Sequence, residues 1–351
     1  MTASPTATSH SAPPLPVHRA DVDLMRLAAC VTVMLGHAGG TLIRRTRETE
    51  TDSAATVVGH IAEGVNPWAV PMFFAIAGWA VLFGAPPRQE HTMLKRIIRH
   101  AVPLFVWTAL YLLIYNAIDT DAVDLRRQAV QSLFESGRPS YHLWYLYAYI
   151  PLITAFGALM LFWRGQRPWI LVALGLLFAT GGVISEHSQA AFDLDLGWWS
   201  WGFGTYSVAF FIFGGFLVHQ ARTFTVPRWL IVIVFALAAA GVYLWETGVH
   251  YPIQNANPLT FILAACVVLM CGTITVQERT IRLLKKLASA SFGAFLIHIF
   301  FVDLMFWHLF PLDLSWPATA GLFFICWVAV AAVSFAFSLT WGALKLRRVL
   351  G

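Results

Sequence analysis

Charged residues are scarce in this chain. Only 12% of its 351 residues are Asp, Glu, Lys or Arg, whereas 58% are hydrophobic, and the mean hydropathy is +0.67. A soluble domain has about 25% charged residues, so this composition excludes an ordinary soluble enzyme and a disordered chain. Its long apolar runs indicate a polytopic helical membrane protein instead.

Cysteine is also rare, and its pattern excludes a disulfide-stapled module. None of the four thiols forms a C-x-x-C pair, and all lie inside apolar runs. We interpret Cys30, Cys266, Cys271 and Cys326 as buried thiols and predict no metal site. The chain also lacks a Walker A loop and the H-E-x-x-H and G-x-S-x-G motifs. Nucleotide hydrolysis and metal catalysis therefore have no support in the sequence.

The apolar runs predict the fold class. Each is close to the roughly 20 residues that cross a bilayer as a helix. The alternating ten-residue strands of a membrane barrel are absent. We therefore predict an all-α, polytopic membrane helix bundle with about ten transmembrane helices. The predicted spans are residues 22–42, 65–84, 99–118, 141–162, 168–184, 203–220, 229–246, 258–276, 288–309 and 317–341.

Basic residues predict the orientation. With the N-terminus inside, sixteen Lys and Arg fall in inside segments and six in outside loops, which places both termini in the cytoplasm. The net charge of +5 is thus a sign of topology in a multi-pass protein of the cell membrane, and we expect no nucleic-acid partner. The predicted parts are a disordered cytoplasmic tail (1–20), one membrane-embedded domain (21–345) and a short cytoplasmic tail (346–351).

The first span carries three ionisable residues, which are costly inside a membrane. Asp23 and Arg26 are three residues apart, so they can pair on one helix face. His37 follows Arg26 by eleven residues, or about three turns, so the two face nearly the same way about 16 Å apart. Taken one at a time, these residues also have a purely structural interpretation. Arg26 could extend its charged end to the membrane surface, and His37 could pack at the interface. Together they predict a polar stripe that faces the bundle interior.

These residues also carry a family resemblance. The segment DLMRLAACVTVMLGH (23–37) resembles the opening of the acyltransferase-3 family, integral membrane enzymes that move acyl groups onto sugars and related acceptors. Later blocks are similar in order and spacing. Ala77 stands where the family often has Ser, and Phe295 where Tyr is usual. The matching blocks are VPMFFAIAGWAV (70–81), KRIIRHAVPLFVW (95–107), YHLWYLYAYIPL (141–152), SVAFFIFGGFLV (207–218) and SFGAFLIHIFF (291–301).

The resemblance implies roles for particular residues. The Arg and His of the family's first block are its catalytic pair, which corresponds to Arg26 and His37, with Asp23 beside them. Its Arg-x-x-Arg block is important for activity, which corresponds to Arg96 and Arg99. The usual donor is acyl-CoA, so we expect acetyl-CoA as a co-substrate and no permanently bound cofactor. The His-Leu-Trp segment resembles the surface-polysaccharide O-acetyltransferase branch.

Elementary chemistry agrees with these positions. Transfer to a hydroxyl needs a base, and imidazole is the usual one near neutral pH, so His37 is the candidate general base. A transient acyl-histidine is the alternative. Arg96 and Arg99 lie at the predicted cytoplasmic end of the third span, where guanidinium groups suit the phosphates of CoA. Alternatively, Arg96 and Arg99 only contribute to the excess of basic residues on the cytoplasmic side of the membrane.

Four further residues are candidates for lining an acceptor site or pore. His142, Trp144 and Tyr145 lie at the predicted outer end of the fourth span, where they suit either a carbohydrate ring or an interfacial aromatic belt. His298 lies in the middle of the ninth span, so an inward position is expected, with either a structural or a catalytic role.

The sequence thus predicts a membrane O-acyltransferase. Its acceptor is expected to be a hydroxyl of a surface or exported polysaccharide, or of a lipid-linked precursor. Expected partners are acyl-CoA, the carbohydrate and membrane lipids; the sequence leaves the oligomeric state open. The alternatives are acyl transfer to a small secondary metabolite and a proton-coupled membrane transporter.

Overall fold

A computed structural model describes residues 18–50, 53–118, 125–192 and 196–351, without the side chains of residues 189 and 192. Over these ranges the chain is helical and contains no strand. Of the tail predicted over residues 1–20, only the last three residues fall within the description. The predicted disorder of the rest lies outside it.

The α-helices follow one another along the whole described chain. They are α1 (Ala20–Glu48), α2 (Ala54–Val65), α3 (Ala69–Gly78), α4 (Glu90–Ile118), α5 (Leu125–Phe134), α6 (Trp144–Trp163), α7 (Trp169–Phe192), α8 (Thr205–Ala209), α9 (Gly215–Gln220), α10 (Arg228–Gly248), α11 (Pro258–Gly272), α12 (Glu278–Val302), α13 (Trp316–Ala343) and α14 (Arg347–Leu350). Segments Trp79–Gly84, Phe210–Gly214 and Asp303–Leu309 are π-helical, and Tyr141–Leu143 is a 3₁₀ turn.

The all-α polytopic bundle predicted from the sequence is confirmed. Within the described ranges, 8 helical stretches are long and apolar enough to cross a membrane. Two of the ten predicted spans are shorter apolar helices, Thr205–Gln220 and Pro258–Gly272. The predicted span 168–184 is a full helix, α7.

The second predicted span differs most from the prediction. Helix α3 and the π-helical segment Trp79–Gly84 cover most of residues 65–84. They are preceded by α2, which was not predicted, with a break at residues 66–68. Pro67 explains the break, because a proline ring clashes with the preceding helical turn and has no N–H to donate. The sequence before residue 65 includes His60 and Glu63, and these polar residues hid the start of the helix at Ala54.

Helix α1 lies at the centre of the bundle. It packs against α2, α3, α11, α12 and α13. Because protein surrounds it, Asp23, Arg26 and His37 of α1 are partly buried between helices, in keeping with the cost of exposing such groups to lipid. Helix α12 packs on both α1 and α13, so the ninth predicted span lies directly beside the first.

The close packing of α3 depends on Gly78. A Cβ atom at this position would lie 1.7 Å from the carbonyl oxygen of Phe211, a backbone atom that cannot move aside cheaply. We expect Gly78→Ala to lower the free energy of unfolding by about 1–3 kcal/mol or more. Thermal unfolding of the detergent-solubilised protein measures this loss.

Gly175 in α7 provides the matched control. A Cβ atom there would meet no atom within 4 Å. Since alanine is the better helix former by about 1 kcal/mol, Gly175→Ala should keep or raise the unfolding temperature. Equal unfolding temperatures for the two variants would contradict the close contact at Gly78.

Candidate active site

A cavity of about 720 Å³ lies at the end of the bundle that carries most of the basic residues. We call it the basic cavity. Helices α1, α4, α6 and α12 and the C-terminal segment all contribute to its wall. Its five arginines are Arg26, Arg96, Arg99, Arg347 and Arg348.

Most of these guanidinium groups keep donors free. Arg26 Nη1 donates to Asp23 Oδ1 at 3.3 Å, and the carboxylate of Asp23 also pairs with His18 at 3.2 Å. Arg96 donates to the backbone carbonyl of Ala85. Within the described part of the chain, the side chains of the other three arginines have no hydrogen bond or ion pair. Unpaired guanidinium groups around one cavity favour a multiply charged anion.

Three histidines from different parts of the chain lie close together, and one of them is His37 of α1. The ring centroid of His298 lies 5.2 Å from that of His37 and 5.3 Å from that of His142. The hydroxyl of Tyr141 and Nδ1 of His37 are 3.0 Å apart, within hydrogen-bond distance. We call His37, Tyr141, His142 and His298 the histidine cluster.

Hydrogen bonds fix the tautomers of two of these rings. His142 Nε2 donates to the carbonyl of Leu296 at 3.2 Å, and its Nδ1 accepts from Ser140 Oγ at 2.9 Å. His298 Nδ1 donates to the carbonyl of Phe295 at 2.5 Å. The buried Nε2 of His298 has no partner, so it presents a free lone pair. His142 is therefore held in place at both nitrogens, whereas His298 keeps one nitrogen open.

The described residues do not form a metal centre at this cluster. No group of three or more His, Cys, Asp or Glu within the described ranges could hold a metal ion. His142 shows why, since both of its nitrogens are already engaged with protein groups. Imidazole groups such as these can accept and donate protons.

One layer of aromatic rings separates the basic cavity from the histidine cluster. Phe73, Tyr145 and Phe295 line the cavity, and their ring centroids are 5.7–6.2 Å apart. The other side of Phe295 meets the cluster, with centroid distances of 5.5 Å to His142 and 5.5 Å to His298. We call these three residues the aromatic layer. Phe295 of this layer therefore contacts both the basic cavity and the histidine cluster.

A second cavity, of about 390 Å³, lies on the other side of the cluster. We call it the outer cavity. The guanidinium of Arg44 lies 5.1 Å from the ring centroid of Trp307 and 5.9 Å from that of Tyr141. Arg44 thus lies between this cavity and the ring of Tyr141, whose hydroxyl contacts His37. The polar and aromatic residues of the wall are Arg44, Glu48, Tyr115, Phe300, Asp303, Trp307 and His308.

Most residues singled out in the sequence converge on these sites. Arg26, Arg96 and Arg99 line the basic cavity, and Asp23 contacts Arg26. His37 lies in the histidine cluster, with its ring beside those of Tyr141 and His298.

Two residues of the fourth span lie elsewhere than expected. Tyr145 was expected at the outer end but lines the basic cavity, because it lies a helical turn deeper than His142. Trp144 packs against the hydrophobic core instead of facing a cavity.

Arg347 and Arg348 also line the basic cavity, although basic residues that follow the last span predict only a role in topology. Residues 346–351, expected as a short tail, contain α14 and end with the buried Gly351.

The chain matches a family model over nearly its whole length. The model, Acyl_transf_3, is described as an acyltransferase domain and matches residues 19–341. The chain belongs to the acyltransferase-3 family. It is therefore a multi-pass membrane acyltransferase, and the resemblance seen in the sequence is confirmed. The family match spans α1 to α13 and includes the histidine cluster, whereas Arg347 and Arg348 lie beyond it. No curated protein and no solved structure matches the chain.

Proposed function

We propose that this acyltransferase moves an acyl group, acetyl in the simplest case, from cytoplasmic acyl-CoA to a hydroxyl of a surface or exported polysaccharide or of its lipid-linked precursor. The cell membrane is the proposed location. One observation carries the proposal: the basic cavity and the histidine cluster face each other across a single aromatic layer. An anionic donor and a proton acceptor can thus act on one acyl group from opposite sides.

The basic cavity suits the donor. CoA carries a pyrophosphate and a 3′-phosphate, and five arginines line this cavity. Its volume of about 720 Å³ lies within the usual range of ligand pockets, about 300–1,000 Å³. With the phosphates among the arginines, the pantetheine arm extends along Ile153 and Phe292, both of which line the cavity. The thioester then reaches the aromatic layer.

The histidine cluster supplies the base. If Nδ1–H of His37 donates to the Tyr141 hydroxyl, Nε2 of His37 is left with a free lone pair. This nitrogen takes the proton of the acceptor hydroxyl while the hydroxyl oxygen attacks the thioester carbonyl carbon. The C–S bond breaks, and the departing thiolate takes that proton from the imidazolium to give CoA. His298, with its own free Nε2 beside His37, stabilises the passing charge.

The outer cavity suits the acceptor. Its carboxylates Glu48 and Asp303 accept hydrogen bonds from hydroxyl groups, and Trp307 offers a ring on which a sugar can lie. The Tyr115 hydroxyl donates to Asp303 Oδ2 at 3.2 Å, which holds that carboxylate in position. From here Arg44 and Tyr141 lead to His37. An acceptor in this cavity therefore has a short path to the base.

Transfer of a labelled acetyl group tests the proposal. Purified protein in lipid nanodiscs is incubated with radiolabelled acetyl-CoA, a panel of glycans and a panel of small hydroxylated metabolites, and acylated products are separated. We expect labelled glycan, and we expect Arg99→Gln to raise the KM for acetyl-CoA about tenfold because one charge-assisted phosphate contact is lost.

Arg164→Gln is the matched control, since Arg164 ends α6 outside the basic cavity, and it should behave as the unmodified protein. If label appears only in a small secondary metabolite, the proposed glycan acceptor is refuted, whereas the assignment of acetyl-CoA as the donor stands. No acylated product in nanodiscs, together with substrate uptake into liposomes that contain the protein, would refute the whole proposal.

A further inference from the structure

The C-terminal segment turns back into the bundle after α13. Lys345 adopts a left-handed backbone conformation with φ of 62°, and Leu346 N donates to Trp341 O at 2.9 Å. The turn directs α14 toward α4 and α12, with which it packs. We call residues Arg347–Gly351 the C-terminal hook.

Two indole groups hold the hook in place. Trp107 Nε1 in α4 donates to the carbonyl of Leu350 at 3.1 Å, and Trp341 Nε1 in α13 donates to the carbonyl of Gly351 at 3.2 Å. Gly351 itself is buried against α12, where a Cβ atom would lie 2.8 Å from Leu296 Cδ1. The hook is thus anchored to three helices of the bundle.

This anchoring brings two arginines to the basic cavity. Arg347 and Arg348 both line it, and neither guanidinium has a hydrogen bond or an ion pair in the part of the chain that the structure describes. Both side chains are exposed, whereas Arg26 and Arg96 are half-buried. The hook arginines therefore lie toward the open end of the cavity, and Arg26 and Arg96 lie deeper.

We propose that the C-terminal hook is the subsite for the 3′-phosphate of CoA, with Arg347 and Arg348 as its ligands. The inference rests on the proposed function, and it adds which arginines bind which phosphate groups of CoA. When the thioester lies at the aromatic layer, the ribose 3′-phosphate is at the far end of CoA, near the open end of the cavity. This phosphomonoester carries about two negative charges, which matches two unpaired guanidinium groups. We assign the pyrophosphate to the other three arginines of the cavity, Arg26, Arg96 and Arg99.

A comparison of CoA with 3′-dephospho-CoA tests the assignment. Isothermal titration calorimetry on the full chain in nanodiscs gives the Kd of each compound. We expect the unmodified protein to bind CoA at least about tenfold more tightly than 3′-dephospho-CoA. In the double variant Arg347→Gln/Arg348→Gln this preference should fall to about twofold or less, with the Kd for 3′-dephospho-CoA nearly unchanged.

Three further variants separate the hook from other effects. Lys345→Gln removes a neighbouring charge that does not line the cavity, so the preference should persist. Arg96→Gln should weaken the binding of both CoA and 3′-dephospho-CoA and leave the preference for CoA unchanged. Trp107→Phe keeps the ring but removes the hydrogen bond to Leu350, so it should lower the preference without changing the cavity arginines.

Each remaining outcome overturns a definite part of the inference. A double variant that keeps the preference, or loses affinity for both compounds equally, refutes the 3′-phosphate subsite while the donor assignment stands. An unmodified protein that binds CoA and 3′-dephospho-CoA equally refutes it as well. If the unmodified protein binds neither, the donor assignment falls and the hook assignment falls with it.

Discussion

Replacing His37 by alanine is expected to lower the rate of acyl transfer by about two to four orders of magnitude, the usual contribution of general base catalysis. The affinity for CoA should stay unchanged, because His37 lies beyond the aromatic layer and does not line the basic cavity. Transfer of label from acetyl-CoA measures the first quantity and calorimetry the second. The expected effect is therefore a loss of kcat without a loss of donor binding.

Two companion variants define the role of His37. Tyr141→Phe keeps the ring and removes the hydroxyl that lies 3.0 Å from His37 Nδ1, so a smaller loss of about tenfold is expected. His187→Ala removes an exposed histidine of α7 whose Nδ1 contacts the carbonyl of Val183, and transfer should stay unchanged. If the His37→Ala protein transfers acetyl at the unmodified rate, His37 is not the base.

The sequence was most informative where a site lies within one helix. Asp23, Arg26 and His37 share α1, so the period of the helix alone relates them, and Asp23 and Arg26 do pair. The apolar runs likewise predict the helices, because a chain in lipid must satisfy its backbone hydrogen bonds within itself. The break at Pro67 was the main local error.

Relations between distant segments could not be predicted in this way. His298 lies beside His37 because α12 packs along α1, and no local pattern specifies which helices are neighbours. Arg347 and Arg348 show a second limit: a basic residue that follows a span has the same sequence signature whether it sets topology or lines a cavity. Only the turn at Lys345 distinguishes the two cases.

Phe295 is expected to limit the length of the acyl chain. Its ring is 5% exposed and lies between the basic cavity and two histidines of the cluster. Phe295→Ala removes this ring and leaves room for about three methylene groups, each worth about 0.8 kcal/mol on burial. The kcat/KM for pentanoyl-CoA relative to acetyl-CoA should therefore rise by roughly 50-fold, as measured by transfer to one glycan acceptor.

Phe292 is the matched control for this change. It lies one turn before Phe295 on α12, lines the same cavity, and contacts His100 at a centroid distance of 5.2 Å rather than the histidine cluster. Phe292→Ala should thus leave the preference between the two acyl groups unchanged, because the chain that it contacts is pantetheine in both substrates. A shifted preference in Phe292→Ala, or none in Phe295→Ala, would place the acyl group elsewhere than at the aromatic layer.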